Sequence, residues 1–149
     1  MAAPSFMMRP AFAVLASILL CTACSREEAR SAPPAIEIVD VTPTQAADLI
    51  ARGEARVLDV RSPEEFALGH IEGAINQNVN AEGFVSALEQ LPDDKPFIVH
   101  CAAGSPGGRS RRATEALQSA GASQIYHLNG GFSAWSREGH PTVAQAASD

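Results

Sequence analysis

Between residues 36 and 135 of this 149-residue chain, short β-branched runs alternate with segments that carry helix start and stop signals. The runs are Ile36–Val41, Val57–Val60, a short one around Ile75, Phe97–His100 and Ile125–Leu128, and each is predicted as a strand. Thr42-Pro43-Thr44-Gln45 and Ser62-Pro63-Glu64-Glu65 both spell a capping box with proline at the first helical position. The first opens a helix with Ala46, Leu49 and Ile50 on one face and Gly53 at its end; the second opens a brief helix through Phe66 and Leu68. Asn80 is placed to cap a helix carrying Phe84, Val85, Leu88 and Leu91, with Pro92 as its stop. Ala113, Ala116, Leu117 and Ala120 mark one face of a helix over 109–120 that Gly121 terminates, and Phe132–Trp135 begins a last helix. Strands separated by helices pair in parallel, and the crossovers cover both faces of the sheet, so the predicted class is α/β. In such sheets the reactive crevice lies at the carboxyl ends of the strands. Cys101 stands at one of those ends.

The first residues have to be set apart before the fold is read. Met1–Pro10 holds one cation, Arg9, and no acid, and Ala11–Leu20 is an unbroken apolar run of ten. That run is too short to span a bilayer and suits the apolar region of a secretory signal peptide. Cys21-Thr22-Ala23-Cys24-Ser25 is similar to a bacterial lipobox, with Cys21 where leucine is usual. Residues 1–23 are therefore expected to be removed as a lipoprotein signal and Cys24 to be lipidated; a plain signal peptide cut nearby is the alternative. Ser25–Ala35 is polar and proline-rich, a tether. The expected division is signal 1–23, anchor and linker 24–35, domain 36–142 and flexible tail 143–149. Location follows: periplasm-facing, held to a membrane by a lipid alone, the outer membrane in a Gram-negative cell. Hydrophobic residues are 46% and charged residues 19%, enough for a true core. A net charge of -6, with Arg109, Arg111 and Arg112 as the only local basic excess, argues against a nucleic-acid partner.

With Cys21 removed and Cys24 lipidated, Cys101 is left as a lone thiol in an oxidising compartment. A buried, inert cysteine is the plain alternative. Its surroundings favour chemistry. Cys101 ends a strand and precedes Ala102, Ala103, Gly104, Ser105, Pro106, Gly107 and Gly108, with a helix starting at Arg109 and Ser110. Small residues let successive backbone N–H groups converge on one point, and a helix N-terminus adds partial positive charge. A thiolate or persulfide at the centre is stabilised by both, and the thiol pKa is expected to fall. Three arginines in a first helical turn each oppose the helix dipole by about 0.3–1 kcal/mol, which an anion at the loop would offset. Helical spacing puts them on different azimuths and favours Arg109 over Arg111 as the one facing the loop.

Three separated motifs give the chain a resemblance to single-domain rhodaneses. They are Asp59–Phe66 with Gly69–Asn76, the loop from Cys101, and Leu128–Trp135 with Gly139-His140-Pro141, spanning about Ile36 to Pro141. The resemblance implies a five-stranded parallel sheet with helices on both faces, a cysteine that cycles through a persulfide, and neither metal nor organic cofactor. It implies as substrates a small sulfur-containing anion such as thiosulfate and a thiol or cyanide acceptor. Ala102, Ala103, Gly104, Ser105, Gly107, Gly108, Arg109 and Ser110 become the expected substrate-binding loop around the catalytic Cys101. One departure stands out: Gly104 is in register with the family, but Arg109 and Ser110 come three residues later. The loop also exceeds that of related phosphatases and arsenate reductases. Either it makes a wider cradle or its extra residues fold outward.

Other residues are expected to be structural. Strand alternation turns His100 away from Cys101; His70 belongs to a turn, and His127 and His140 are local features. The four histidines lack metal-ligand spacing. The resemblance makes Asp59 and Arg61 a buried ion pair or turn anchor, and Phe132 and Trp135 read as core or pocket wall. Two other functions compete: a cysteine phosphatase or arsenate reductase, and a non-catalytic module that binds a partner or senses redox state.

Overall fold

The computed structural model describes residues 37–122 and 124–144. The expected signal peptide, Cys24, the linker and residues 145–149 lie outside the described residues. Both capping boxes form. Thr42 Oγ1 accepts the Gln45 amide at 3.2 Å and Gln45 Oε1 accepts the Thr42 amide at 2.9 Å. This starts α1 (Pro43–Ala51) directly after β1 (Ile38–Val41), and Ser62 with Glu65 starts α2 (Pro63–Leu68) after β2 (Arg56–Asp59). Each box satisfies two of the donors that a helix N-terminus leaves open.

The chain continues through β3 (His70–Ile71), β4 (Ile75–Asn76), α3 (Phe84–Leu88), β5 (Phe97–His100), α4 (Arg109–Ser119), β6 (Ile125–Leu128), α5 (Gly131–Arg137) and β7 (Thr142–Val143). Five strands make one parallel sheet in the order β1-β6-β5-β2-β4, and the fold is the expected α/β one. Alternation along each strand sorts the core into two halves. On one face Leu58, Val99, Cys101 and Ile125 pack with Phe84 and Leu88 of α3 and Ala113 and Leu117 of α4. On the other, Val57, Ile98 and Leu128 pack with Ala46 of α1 and Trp135 of α5. β5 is central and buried at all four positions, as a strand covered on both faces must be.

Three details depart from the sequence reading. The helix expected from Asn80 is five residues long and begins after Gly83, which is left-handed at φ 75°. The Asn78 side chain instead bonds the Asn80 amide in a local turn, and Asn80 accepts from Arg112 of α4. Asparagine competes with helix by such local bonds, and so Val85 is left 55% exposed. The helix over 109–120 buries Ser110 and Thr114 beside Ala113 and Leu117, while Ala120 is exposed. Val143, expected to open the tail, belongs to the domain: β7 pairs antiparallel with β3, placing Val143 against His70 and Thr142 against Ile71.

Candidate active site around Cys101

β5 delivers Cys101 to the carboxyl edge of the sheet, on the face covered by α3 and α4, with 5% of its surface exposed. His100 points to the opposite face, as alternation requires. There its Nδ1–H donates to the Cys101 carbonyl at 3.3 Å, its ring stacks on Phe132, and Nε2 lies 3.7 Å from Asp59 without a hydrogen bond. Burial pushes the His100 pKa down, against the opposing pull of Asp59, so the ring is neutral.

The cysteine loop is clamped by the first turn of α5. The amides of Phe132 and Ser133 donate to the carbonyls of Cys101 and Ala102, each at 2.9 Å. Gly104 and Gly131 lie back to back, with φ of 56° and 55°. A Cβ on Gly104 would sit 2.6 Å from both the Gly131 nitrogen and the Leu128 carbonyl oxygen. The two glycine motifs are thus one contact, and it sets where the loop passes the sulfur.

Burial raises the Cys101 pKa, but the Ser110 hydroxyl and the backbone N–H groups of Ser110, Gly104 and Ala103 lower it by more, and the net shift is downward. The amides come from the two ends of the loop. Ser105, Pro106 and Gly107 are exposed, in a turn closed by the Gly108 amide donating to Ser105 oxygen at 2.9 Å. The extra residues therefore fold outward, away from the amides that face the sulfur. Ala102 is half-buried and its carbonyl faces the α5 turn.

Arg109 reaches α2, where Nη2 donates to Glu65 Oε1 at 2.8 Å and Nη1 donates to Oε2. The same carboxylate serves the Ser62 capping box at 3.2 Å. The Arg109 bond holds Glu65 far below the usual carboxylate range, at about 2. Glu65 therefore provides the offsetting anion expected for the basic helix start, and the Cys101 charge acts on Arg109 as well. Arg112 is turned outward to Asn80. On the far face, Arg61 bonds Asp59, donates to the Gly69 carbonyl at 2.7 Å and lies 4.2 Å over the Phe132 ring. Asp59 and Arg61 thus form the buried anchor expected of them.

One feature of the site escaped the sequence reading. Ser110 Oγ lies 3.3 Å from Cys101 Sγ and 2.9 Å from His127 Nε2, and His127 Nδ1 lies 2.8 Å from Asp40 Oδ1. His127, read from sequence as local, stands behind the sulfur on the same face. Its position in β6 was legible; that β6 lies between β5 and β1 was not.

Residues 42–138 match the model of the rhodanese-like domain. The chain is 42% identical over 114 residues to thiosulfate sulfurtransferase 16, chloroplastic, of Arabidopsis thaliana, covering 70% of this chain and 92% of that one. It is 37% identical over 100 residues to the thiosulfate sulfurtransferase GlpE of Ectopseudomonas mendocina, covering 66% and 85%. Among solved structures, a rhodanese-related protein from Thermoplasma volcanium aligns with a TM-score of 0.63 at 31% identity, covering 72% of this chain and 99% of that one.

Proposed function

The chain belongs to the rhodanese-like domain family, and on that footing we propose that it is a sulfurtransferase whose Cys101 carries the transferred sulfur as a persulfide. The observation that carries the reading is a cysteine sulfur facing three loop amides and a hydroxyl that together lower its pKa. The Cys101 thiolate attacks the outer sulfur of thiosulfate; an S–S bond forms, the bond to the sulfonate sulfur breaks, and sulfite leaves with the electron pair. An acceptor, cyanide or a thiolate, then bonds the terminal sulfur and returns the electron pair to Cys101. Splitting the transfer into two displacements is covalent catalysis. The amides of Ala103, Gly104 and Ser110 hold the anionic sulfur through both steps, and Arg109, paired with Glu65, interacts with its charge.

A phosphatase needs an acid for the leaving group, and three of the carboxylates among the described residues are engaged elsewhere. Asp94 is bound to Arg56 at 2.8 Å, at the start of β2 and so at the opposite end of the sheet. Asp59 is held by Arg61 on the other face, and Glu65 is ionised by Arg109. Intact mass after incubation with thiosulfate tests the proposal. One added sulfur, absent in Cys101→Ser, is expected; hydrolysis of an aryl phosphate without that adduct would favour the phosphatase, and neither result a binding module. We further propose export and lipid anchoring at Cys24, supported by the apolar run and the lipobox-like segment. Cys24→Ala is then expected to move the protein from the detergent phase to the aqueous phase.

A further inference from the structure

We infer that His127 is a positioning residue for Cys101: held by Asp40 and acting through the Ser110 hydroxyl, it takes the thiol proton and keeps the sulfur ionised. The inference deepens the sulfur-transfer reading and rests on it. Four elements build the chain of contacts, with Cys101 after β5, Ser110 in α4, His127 in β6 and Asp40 in β1, at 3.3, 2.9 and 2.8 Å in turn. Ser110 is fully buried and His127 is 3% exposed, so neither has water as a ready substitute partner. The Asp40 side chain is 57% exposed, and the series ends in solvent there.

With the number of protons held fixed at one between sulfur and Nε2, two arrangements satisfy every contact. In both, His127 Nδ1–H donates to the Asp40 carboxylate, since a carboxylate can only accept. With a thiol, Cys101 S–H donates to Ser110 Oγ and the Ser110 hydroxyl donates to an unprotonated Nε2. With a thiolate, the Ser110 hydroxyl donates to sulfur and Nε2–H donates to Ser110 Oγ. One concerted shift interconverts them: the S–H bond breaks as Ser110 Oγ gains that proton, and the original Ser110 proton forms the new Nε2–H bond. No electrons leave the system. The product is a thiolate facing a hydroxyl donor, backed by an imidazolium that is itself paired with Asp40. In both sulfur displacements the proton stays on His127 while negative charge moves between the inner and outer sulfur atoms. The imidazole thereby supplies the base that an isolated cradle of amides lacks.

Besides Asp40, Arg109 bears on the Cys101 charge directly and two carboxylates bear on Arg109. Arg109 of α4 feels the Cys101 charge, Glu65 of α2 pairs with Arg109, and Asp59 of β2 acts on Arg109. All three remain in the variants below. His100 of β5 faces the other side of the sheet.

The test is iodoacetamide labelling of Cys101 in the full chain against pH, resolved site by site by mass spectrometry so that Cys21 and Cys24 do not interfere. Ser110→Ala and His127→Leu are each expected to move the inflection upward, leaving about tenfold less thiolate at neutral pH, the effect of losing one favourable charged neighbour. The double variant is expected to match either single one. Asp40→Asn is expected to move it the same way by less. A wild-type profile in folded His127→Leu overturns the inference. If that variant fails to fold, Asp40→Asn, altered at an exposed carboxylate, decides alone, and an unmoved inflection there overturns it. Persulfide formation from thiosulfate is scored separately by intact mass. Shifted profiles without a persulfide sink the transferase reading, and a persulfide with unshifted profiles sinks the relay.

Discussion

Gly104 and Gly131 show how narrowly the site is set at single residues. Both adopt left-handed backbone, and each lacks room for a methyl group because the other segment's backbone fills it. Gly131→Ala therefore adds overpacking to backbone strain, and a loss of about 2–5 kcal/mol is expected in denaturant unfolding, with Cys101 labelling slowed. Gly107 is the control. It is also left-handed at φ 73° but faces open space, so Gly107→Ala is expected to cost only about 1 kcal/mol, the strain alone. The spacing of small residues after Cys101 made the cradle legible in the sequence. Ser110 was legible as a loop residue but not as the link to His127, because local pattern says nothing about which strands become neighbours. Strand order is decided by packing across the whole sheet.

At the scale of elements, α2 is held by its N-terminal box and by one carboxylate with two duties. Glu65 closes the Ser62 cap and binds Arg109 at the head of α4, so α2 and the cysteine loop are tied through it. Its folded pKa is about 2 against an ordinary value of 4.5, so the carboxylate favours folding. That contribution is fully present above about 4.5 and is lost as pH falls toward about 2, because the unfolded chain takes up the proton first. Glu65→Gln is expected to flatten the acid side of the stability–pH curve over that window, read by thermal melting at a series of pH values. Elements with explicit start signals were read correctly: Thr42 and Ser62 state their helices outright. β3 and β7 were not, since two residues carry no period, and α3 was read at its core positions Phe84 and Leu88 but given a cap at Asn80, where Asn78 and Asn80 make a turn instead.

For the molecule as a whole, β5 joins the two halves of the core and ends at Cys101. Val99 faces α3 and α4, Ile98 faces α1 and α5, and both are fully buried. Ile98→Ala is expected to cost about 2–5 kcal/mol, with an unchanged denaturant slope, since it leaves a cavity in the face away from the sulfur. Alternating strands and helices were enough to anticipate the layered α/β plan. The closing strap was not: Trp135 Nε1 donates to the Pro141 carbonyl at 2.8 Å, and the chain then returns to pair with β3. The outward turn at Ser105–Gly107 has a different kind of consequence. The proposed sulfur transfer draws on amides where the chain leaves Cys101 and where it comes back at Ser110; the exposed stretch between Gly104 and Gly108 supplies none of them. A peptide tag or a fluorophore inserted there would ride on the outer side of the Cys101 loop, giving a reporter of what approaches the sulfur.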